Sequence, residues 1–245
     1  MRILAGTSGF SYKEWKGPFY PERLPAAQML EFYASRLPAV EINNTFYRLP
    51  SPALLEGWRA QVPPSFRFAL KAPRRISHVK RLRGCEEDLR YFLGVADALG
   101  ASLACVLVQL PPFMKADPGL LAAFTELLPN GTKAAFEFRN ASWFTDGAYE
   151  TLAARNLALV VSQSDERSRV DLPWTADWAY LRLRKPDYDE RELTAWLERL
   201  RAAPLVEAHV FFKHEDEARG PKLAERFLAL AAERRHASAE PPAAT

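Results

Sequence analysis

The sequence predicts an α/β fold, namely a single (β/α)8 TIM-type barrel. Three observations lead to this prediction: strand and helix signals alternate, their spacing is regular over the 245 residues, and polar residues recur where strand after strand ends. A doubly wound open sheet is the alternative. It is disfavoured because no GxGxxG or Walker sequence follows a strand, and because the polar strand ends are not confined to one switch point.

Strands are predicted where short runs are apolar or alternate between apolar and polar residues. The eight strands expected are Ile3–Gly6, Ala39–Asn43, Arg67–Lys71, Leu103–Leu110, Lys133–Arg139, Ala158–Gln163, Trp178–Arg184 and Glu207–His214.

Helices are predicted between most of these strands. Ser51-Pro52 and Asp117-Pro118 each place a capping side chain before a proline at the first helical position. The connection from Ser164 to Asp177 has no helical period, so the sixth helix is predicted to be weak or replaced by a loop. The expected helices are Ala26–Arg36, Pro52–Gln61, Glu86–Leu99, Pro118–Leu127, Asp146–Arg155, Asp189–Ala202 and Gly220–Arg235.

Residues 1–236 are predicted to form one barrel domain, and the Ala- and Pro-rich residues 237–245 a flexible tail. A net charge of +3 is too weak by itself to indicate nucleic-acid binding. Cys85 and Cys105 have no metal-like spacing. The N-terminal apolar run is too short for a signal peptide, and no apolar run approaches the length of a membrane span. We therefore expect a cytoplasmic protein with no membrane partner.

The strand ends carry the strongest functional signal, because the C-terminal ends of barrel strands form the functional face. Several charged or amide groups at one end are costly unless something binds there, although a single Arg–Glu pair is more often structural. For the eighth strand, the sequence does not decide which of Lys213, His214, Glu215 and Asp216 face inward. The other strands contribute Glu41 and Asn43, Lys71, Gln109, Glu137 and Arg139, Gln163 or Ser164, and Arg182 and Arg184.

A basic run follows the third strand. From Lys71 to Arg83 it contains six Lys/Arg residues and His78, with no acidic residue. A solvated loop is the usual explanation of such a run. A loop after a strand, however, overhangs the mouth of the barrel. Together with Arg139 and Arg182, it predicts an electropositive mouth and an anionic ligand such as a phosphate or a carboxylate.

Aromatic residues occur in the same group of loops, among them Tyr12, Phe46 and Trp143. They either plug the top of the barrel or form a stacking wall for a sugar or a base. Aromatics interleaved with basic groups also suit single-stranded nucleic acid.

No metal site is predicted, and the cofactor stays open. The four histidines form no HxH or HExxH sequence, and the cations expected in the mouth work against a divalent ion.

Long motifs occur along nearly the whole chain: Gly6–Tyr12 with Trp15 and Phe19–Pro21, Val40–Pro50, Phe66–Lys71, Val108–Pro112, and Glu137–Arg139 with Ser142–Phe144. Together they resemble the YecE-like family, domain of unknown function 72. The resemblance implies a TIM-type barrel without an assigned activity, and a shared pocket set of Glu41, Asn43, Lys71, Gln109, Glu137 and Arg139.

The chain departs from the family pattern near its C-terminal end. Arg182-Leu183-Arg184 stands where Arg-His-Gly is expected after the seventh strand. After the eighth strand, the family's Phe-Asn-Asn-Asp is replaced by Phe212-Lys213-His214-Glu215-Asp216.

The leading hypothesis is an enzyme, with hydrolysis as the favoured reaction class, that acts on a phosphorylated or otherwise anionic small molecule or on a phosphodiester. Glu41 or Glu137 would be the general acid/base. A glycosidase that uses these two carboxylates is a weaker alternative, because their strands lie far apart around the ring. A third alternative is a non-catalytic binder of nucleic acid or nucleotide that uses the 71–83 loop and the aromatics. The predicted substrate-binding residues are Asn43, Lys71, His78, Gln109, Arg139, Trp143, Arg182, Tyr12 and Phe46.

Overall fold

The fold is a closed barrel of eight parallel strands, seen in a computed structural model that describes residues 1–164, 171–213 and 216–237. Each strand is hydrogen-bonded to the next in chain order, and the last pairs with the first, so the predicted (β/α)8 architecture is confirmed. The strands are β1 (Arg2–Ser8), β2 (Ala39–Ile42), β3 (Arg67–Lys71), β4 (Leu103–Gln109), β5 (Ala134–Glu137), β6 (Ala158–Gln163), β7 (Trp178–Leu183) and β8 (Glu207–Phe212).

Seven α-helices lie between or after the strands in the described parts of the chain. They are α1 (Met29–Arg36), α2 (Pro52–Ala60), α3 (Glu86–Ala96), α4 (Pro118–Glu126), α5 (Asp146–Ala153), α6 (Glu190–Arg201) and α7 (Arg219–Ala237). Between β6 and β7, the described residues 164 and 171–177 form no helix, as predicted, and residues 165–170 lie outside the described residues. So do His214, Glu215, the side chain of Asp216 and the predicted tail beyond residue 237.

Short helical turns complete several connections. A π-helical turn, Arg75–Val79, lies in the basic loop after β3. The 3-10 turns are Lys13–Trp15, Ala26–Gln28, Asn44–Phe46, Asp97–Ser102, Ala141–Trp143 and Asp216–Ala218.

The two proline-led helices begin as the sequence predicts. The Leu54 amide donates to Ser51 Oγ at 3.3 Å, and the Leu120 amide donates to Asp117 Oδ1 at 3.0 Å. Each cap satisfies an amide that the first helical turn would leave without an acceptor.

Strand alternation separates two cores. Residues that point outward pack under the helices, among them Val40, Phe68, Val108, Phe136 and Leu181. Residues that point inward fill the barrel by combining small side chains with large ones, and Cys105 is among them. The inner cluster comprises Leu4, Ala39, Ala69, Cys105, Leu107, Ala135, Ala158, Val160, Trp178, Tyr180 and Phe211.

The interior is polar at both ends of this apolar layer. At the N-terminal end, His209 Nε2 lies 2.8 Å from Glu207 Oε1, which also accepts from Lys133 Nζ at 3.0 Å. Burial lowers the pKa of His209, so its imidazole is neutral there at pH 7. The C-terminal end carries the predicted set of polar strand ends.

Gly6 lies where β1 and β2 approach each other most tightly. A Cβ atom at this position would lie 1.8 Å from the Ala39 carbonyl oxygen and 3.0 Å from the Tyr33 hydroxyl. That hydroxyl links the two strands, because it accepts from the Thr7 amide and donates to the Ala39 carbonyl, both at 2.9 Å. Only glycine fits this crossing of strand and side chain.

Replacing Gly6 with alanine should lower the free energy of unfolding by about 3 kcal/mol or more, because the added methyl group must displace backbone. Gly57→Ala is the matched control. Gly57 lies in α2, where no atom of the described residues comes within 4 Å of an added Cβ atom, and alanine there should gain up to about 1 kcal/mol of helix propensity. Urea unfolding measures both, and equal effects would contradict the close approach at Gly6.

Candidate functional site

Arg182 is the centre of the polar cluster at the C-terminal end of the barrel. Its side chain is only 3% exposed and lies between two carboxylates. Nη1 donates to Glu137 Oε2 at 2.5 Å, and Nη2 donates to Glu41 Oε1 at 2.9 Å. One guanidinium therefore ties together β2, β5 and β7.

Glu41 has hydrogen bonds to both carboxylate oxygens. Oε1 also accepts from Ser8 Oγ at 2.7 Å and from Asn43 Nδ2 at 2.8 Å, while Oε2 accepts from the Tyr180 hydroxyl at 2.7 Å. Burial by itself would raise the pKa of Glu41, but Arg182 and these donors outweigh burial and hold the pKa below its usual value. Glu41 is thus a buried, fully ionised carboxylate.

Glu137 is held even more strongly. Besides Arg182, its carboxylate accepts from Arg184 Nη2 at 3.0 Å and from Arg139 Nε at 3.2 Å. Burial opposes ionisation, yet the charges of Arg182, Arg184 and Arg139 lower the pKa of Glu137 to about 2. At neutral pH neither Glu41 nor Glu137 has a proton to donate, so neither can serve as a general acid there.

Strand register brings these groups to one level. Ser8 is paired with Glu41, Gln109 with Glu137, and Ser162 with Arg182. Side chains two residues apart share the interior face, so the inward parity predicted for β2, β3, β4, β5 and β7 is confirmed. On β6 the inward residue is Ser162, which accepts from Arg184.

Gln163, one of the two candidates for the sixth strand, faces the other way. Its Oε1 atom accepts from Trp196 Nε1 at 3.0 Å, and Trp196 belongs to α6 outside the barrel. The parity of Ser162 is that of Ser164, the other candidate. The residue that reaches the cluster is therefore Ser162, two residues before the predicted Ser164 and on the same face of the strand.

Three arginines in the cluster retain hydrogen-bond donors that have no acceptor among the described residues. Arg139 is 32% exposed and bonds Glu137 only through Nε, so its two terminal nitrogens have no acceptor in the described residues. Arg184 is 19% exposed. Its Nε, like that of Arg182, is buried and has no acceptor in the part of the chain that the structure describes. These donors converge beside the two carboxylates without being satisfied by them.

Lys71 adds a fourth cation at the end of β3. Its Nζ lies 4.3 Å from the centroid of the Phe46 ring, and it makes no hydrogen bond or ion pair within the described ranges. Burial and the nearby charge of Arg182 lower the pKa of Lys71 to about 8, although Glu41 and Glu137 oppose this. A sizeable fraction of this amine is therefore neutral at physiological pH.

His78 lies against the same aromatic ring. Its imidazole is 4.9 Å from Phe46, centroid to centroid, and Nδ1 lies 2.9 Å from Ser77 Oγ. Burial, followed by the charges of Lys71 and other nearby cations, lowers the pKa of His78. His78 is thus a neutral imidazole at pH 7, next to a lysine that is partly neutral.

The predicted set does come together, apart from two aromatics. Glu41, Asn43, Gln109, Glu137, Arg139 and Arg182 form one network, with Asn43 Oδ1 and Gln109 Oε1 each 3.5 Å from Arg182; Lys71, His78 and Phe46 lie beside it. Trp143 is fully buried, donates to the Met114 carbonyl and stacks on Phe138. Tyr12 donates to the Ser8 carbonyl and packs on Trp15. Trp143 is therefore a core residue at the top of the barrel, whereas Tyr12 stays partly exposed.

The basic 71–83 loop is less free than its composition indicates. Arg75 Nε and Lys80 Nζ contact Asp88 at 2.6 and 2.7 Å. Arg83 contacts Asp117 at 2.7 Å. Two acidic residues, Asp88 of α3 and Asp117 at the start of α4, thus pair with three of the six basic side chains of the loop.

Ser8, Ser162 and Tyr180 belong to the network but were not among the predicted site residues. Each lies on the interior face, and Tyr180 precedes Arg182 by two residues. The same alternation that identified Arg182 therefore carried the signal for Tyr180.

The described residues contain no group of three or more His, Cys, Asp or Glu side chains placed to hold a metal ion. They also include no helix with the length and apolar character needed to span a membrane.

Comparisons with known proteins match the chain to one family. The model for "Protein of unknown function DUF72" covers residues 4–245. UPF0759 protein YecE of Escherichia coli K12 is 34% identical over 129 residues, which are 52% of this chain and 47% of that protein. UPF0759 protein YunF of Bacillus subtilis strain 168 is 29% identical over 139 residues, which are 54% of this chain and 49% of that protein. The matched segments thus span about half the length of these curated relatives.

Solved structures agree on the fold. A DUF72 family protein from Thermotoga maritima has a TM-score of 0.81 and 27% identity, with 95% of this chain and 100% of that chain covered. One from Enterococcus faecalis has a TM-score of 0.76 at 19% identity, with 94% and 98% covered, and supports the fold alone.

Arg182→Met should lower the free energy of unfolding by about 3–5 kcal/mol, because it leaves two buried carboxylates without their shared cation. Arg226→Met is the matched control. Arg226 also contacts two glutamates, Glu190 and Glu233, but on the surface, and its loss should change little. Chemical denaturation measures both variants, and a small loss in each would contradict the central role of Arg182.

Lys71→Met should raise the free energy of unfolding at pH 7, by about 1–2 kcal/mol after allowance for solvent screening. The folded-state pKa of Lys71, about 8, is below the ordinary 10.5, so below pH 8 the folded state carries the full cost of the charge. The folded state releases this proton first as the pH rises. The advantage of the variant should therefore shrink between pH 8 and 10.5.

Lys80→Met is the control for this measurement. Lys80 lies in the same loop but contacts Asp88, so its loss should be slightly destabilising. A loss of stability in Lys71→Met at pH 7 would show that Lys71 is not held at an electrostatic cost.

Proposed function

The chain belongs to the DUF72 family of proteins of unknown function, and from this premise we propose that it is an enzyme that binds a phosphate- or carboxylate-bearing small molecule at the C-terminal mouth of its barrel. In barrels of this architecture, active sites lie at that end. Hydrolysis, the reaction class favoured by the sequence, stays a prediction.

This proposal rests on one observation, which is that positive charge exceeds negative charge in the mouth of the barrel. Four cations, Lys71, Arg139, Arg182 and Arg184, surround two carboxylates. Burying like charges together is unfavourable unless counter-charge is supplied. An anionic ligand would supply that charge and would accept from the unused donors of Arg139 and Arg184.

The four cations differ in the role we assign to them. Arg182 is committed to Glu41 and Glu137 and positions its neighbours. Arg139 and Arg184 are partly exposed, and their planar donors suit a phosphate or carboxylate. Lys71 is left for proton transfer or nucleophilic attack, with neutral His78 as a proton carrier. The predicted catalytic role of Glu41 and Glu137 stays a prediction, and their low pKa values restrict it to that of a base.

A second candidate, binding of single-stranded nucleic acid, is supported by exposed aromatics on the rim. Tyr47 and Phe113 are among the most exposed large side chains of the described residues, and the guanidinium of Arg81 lies 5.8 Å from the Phe113 ring centroid. Such platforms can stack bases. The pairing of Arg75, Lys80 and Arg83 with aspartates makes this candidate the weaker one.

Thermal denaturation in phosphate or pyrophosphate tests the proposal, with sodium chloride at equal ionic strength as the reference. Both anions should raise the melting temperature, because a ligand that binds only the folded state stabilises it. Arg139→Gln and Arg184→Gln should weaken the binding about tenfold or more, in line with the loss of a charge-assisted hydrogen bond. Arg83→Gln, which removes a rim cation, should bind as the unmodified protein does.

Equal stabilisation of all three variants would show that the effect is not localised in the mouth and would overturn the proposal. An absence of stabilisation would do the same. If, in addition, a single-stranded oligonucleotide bound with a steep salt dependence and required Tyr47 and Phe113, the second candidate would replace the first.

A further inference from the structure

We propose that Lys71 forms a Schiff base with an aldehyde or ketone, so that the substrate is a carbonyl compound that also carries a phosphate or carboxylate. The inference rests on the proposed anion site and names the substrate class for it. It also shifts the expected chemistry from hydrolysis to reactions at the carbon next to a carbonyl.

The position of Lys71 is that of a reacting group. It is the last residue of β3, it faces the interior with Ala69, and it stands at the level where the strands open into the mouth. Its side chain is partly exposed, so a ligand can reach the amine. The Phe46 ring below the ammonium gives the site an apolar wall on one side.

Lys71 also differs from the structural lysines of this protein. Lys80 contacts Asp88, and Lys133 contacts Glu207. Two carboxylates lie in the same mouth as Lys71, yet both are bound to arginines instead. An amine that is close to carboxylates but is paired with neither is available as a nucleophile once it loses its proton.

The nearby charge of Arg182 favours the neutral, nucleophilic form of Lys71. A lysine is activated for Schiff-base chemistry when burial and an adjacent cation favour its neutral form. Arg182 is permanently charged and is fixed by two buried ion pairs, so it cannot move away from Lys71 or lose its charge. The mouth thus combines an amine that can be deprotonated with arginine donors that would hold the anionic end of a substrate.

The step balances without an external oxidant or reductant. The neutral Lys71 nitrogen forms a bond to the carbonyl carbon, and the carbonyl π pair moves to oxygen, which takes up a proton. The nitrogen loses one proton to give the carbinolamine, whose hydroxyl group takes up a second proton. The C–O bond then breaks, and water leaves as the nitrogen lone pair forms the C=N bond of the protonated imine. His78 shares the Phe46 contact with Lys71 and can carry these protons as a neutral imidazole.

Reductive trapping tests the inference. The full-length chain is incubated with glycolaldehyde phosphate, an anionic aldehyde, and borohydride then delivers hydride to the imine carbon and fixes a secondary amine. Peptide mass spectrometry compares labelling among the nine lysines. Lys71 should be labelled at least about tenfold faster than any other, with a rate that rises with pH through about 8.

The controls separate this inference from the proposed function. Uncharged glycolaldehyde should label Lys71 more weakly, inorganic phosphate should compete with the phosphorylated probe, and Arg139→Gln should slow labelling. Lys71→Arg, which keeps the charge, should show no preferred site.

If phosphate stabilises the protein through Arg139 and Arg184 but Lys71 is labelled no faster than surface lysines, the Schiff base is overturned and the anion site stands. If both probes label Lys71 equally and phosphate has no effect, the anion site is overturned, and with it the phosphorylated substrate class.

Discussion

The buried guanidinium of Arg182 between Glu41 and Glu137 is the interaction on which the C-terminal end of the barrel depends. Removing an ion from water costs several kcal/mol, and mutual attraction offsets this only when the remaining lone pairs are also satisfied. Ser8, Asn43 and Tyr180 meet that condition for Glu41, while Arg139 and Arg184 meet it for Glu137. The result is a rigid arrangement that joins strands from opposite sides of the ring.

This arrangement also constrains the chemistry. The guanidinium occupies the space between the two carboxylates, where a glycosidase of the usual type would hold the scissile bond. It keeps both acids ionised and lowers the pKa of Lys71. Near neutral pH, the groups of the mouth that can exchange protons are therefore Lys71 and His78. The two carboxylates, which the sequence indicates as the acid/base pair, stay ionised.

The sequence predicts well which side chains face the barrel interior, because the two-residue repeat of a strand determines this. Alternation along β2, β5 and β7 places Glu41, Glu137 and Arg182 on the interior face whatever the side chains do afterwards. The choice of partner is different, because it depends on the register between strands and on the barrel diameter, which no single strand encodes. For the same reason, Trp143 could be recognised as a mouth aromatic but not as one whose faces are covered by Phe138 and its neighbours.

The excess of cations over carboxylates in the mouth can be compared with the basic loop at the surface. In the 71–83 loop, Arg75 and Lys80 share Asp88 and Arg83 contacts Asp117, and solvent screens the remaining positive charge because the loop lies at the surface. In the mouth the fold supplies two carboxylates for four cations and commits both to the arginines. A purely structural cluster would gain stability from a further acid beside Lys71. The described residues contain no such acid, so the folded protein bears the repulsion between these cations, which binding an anion would offset. Uncompensated charge of this kind is typical of functional sites.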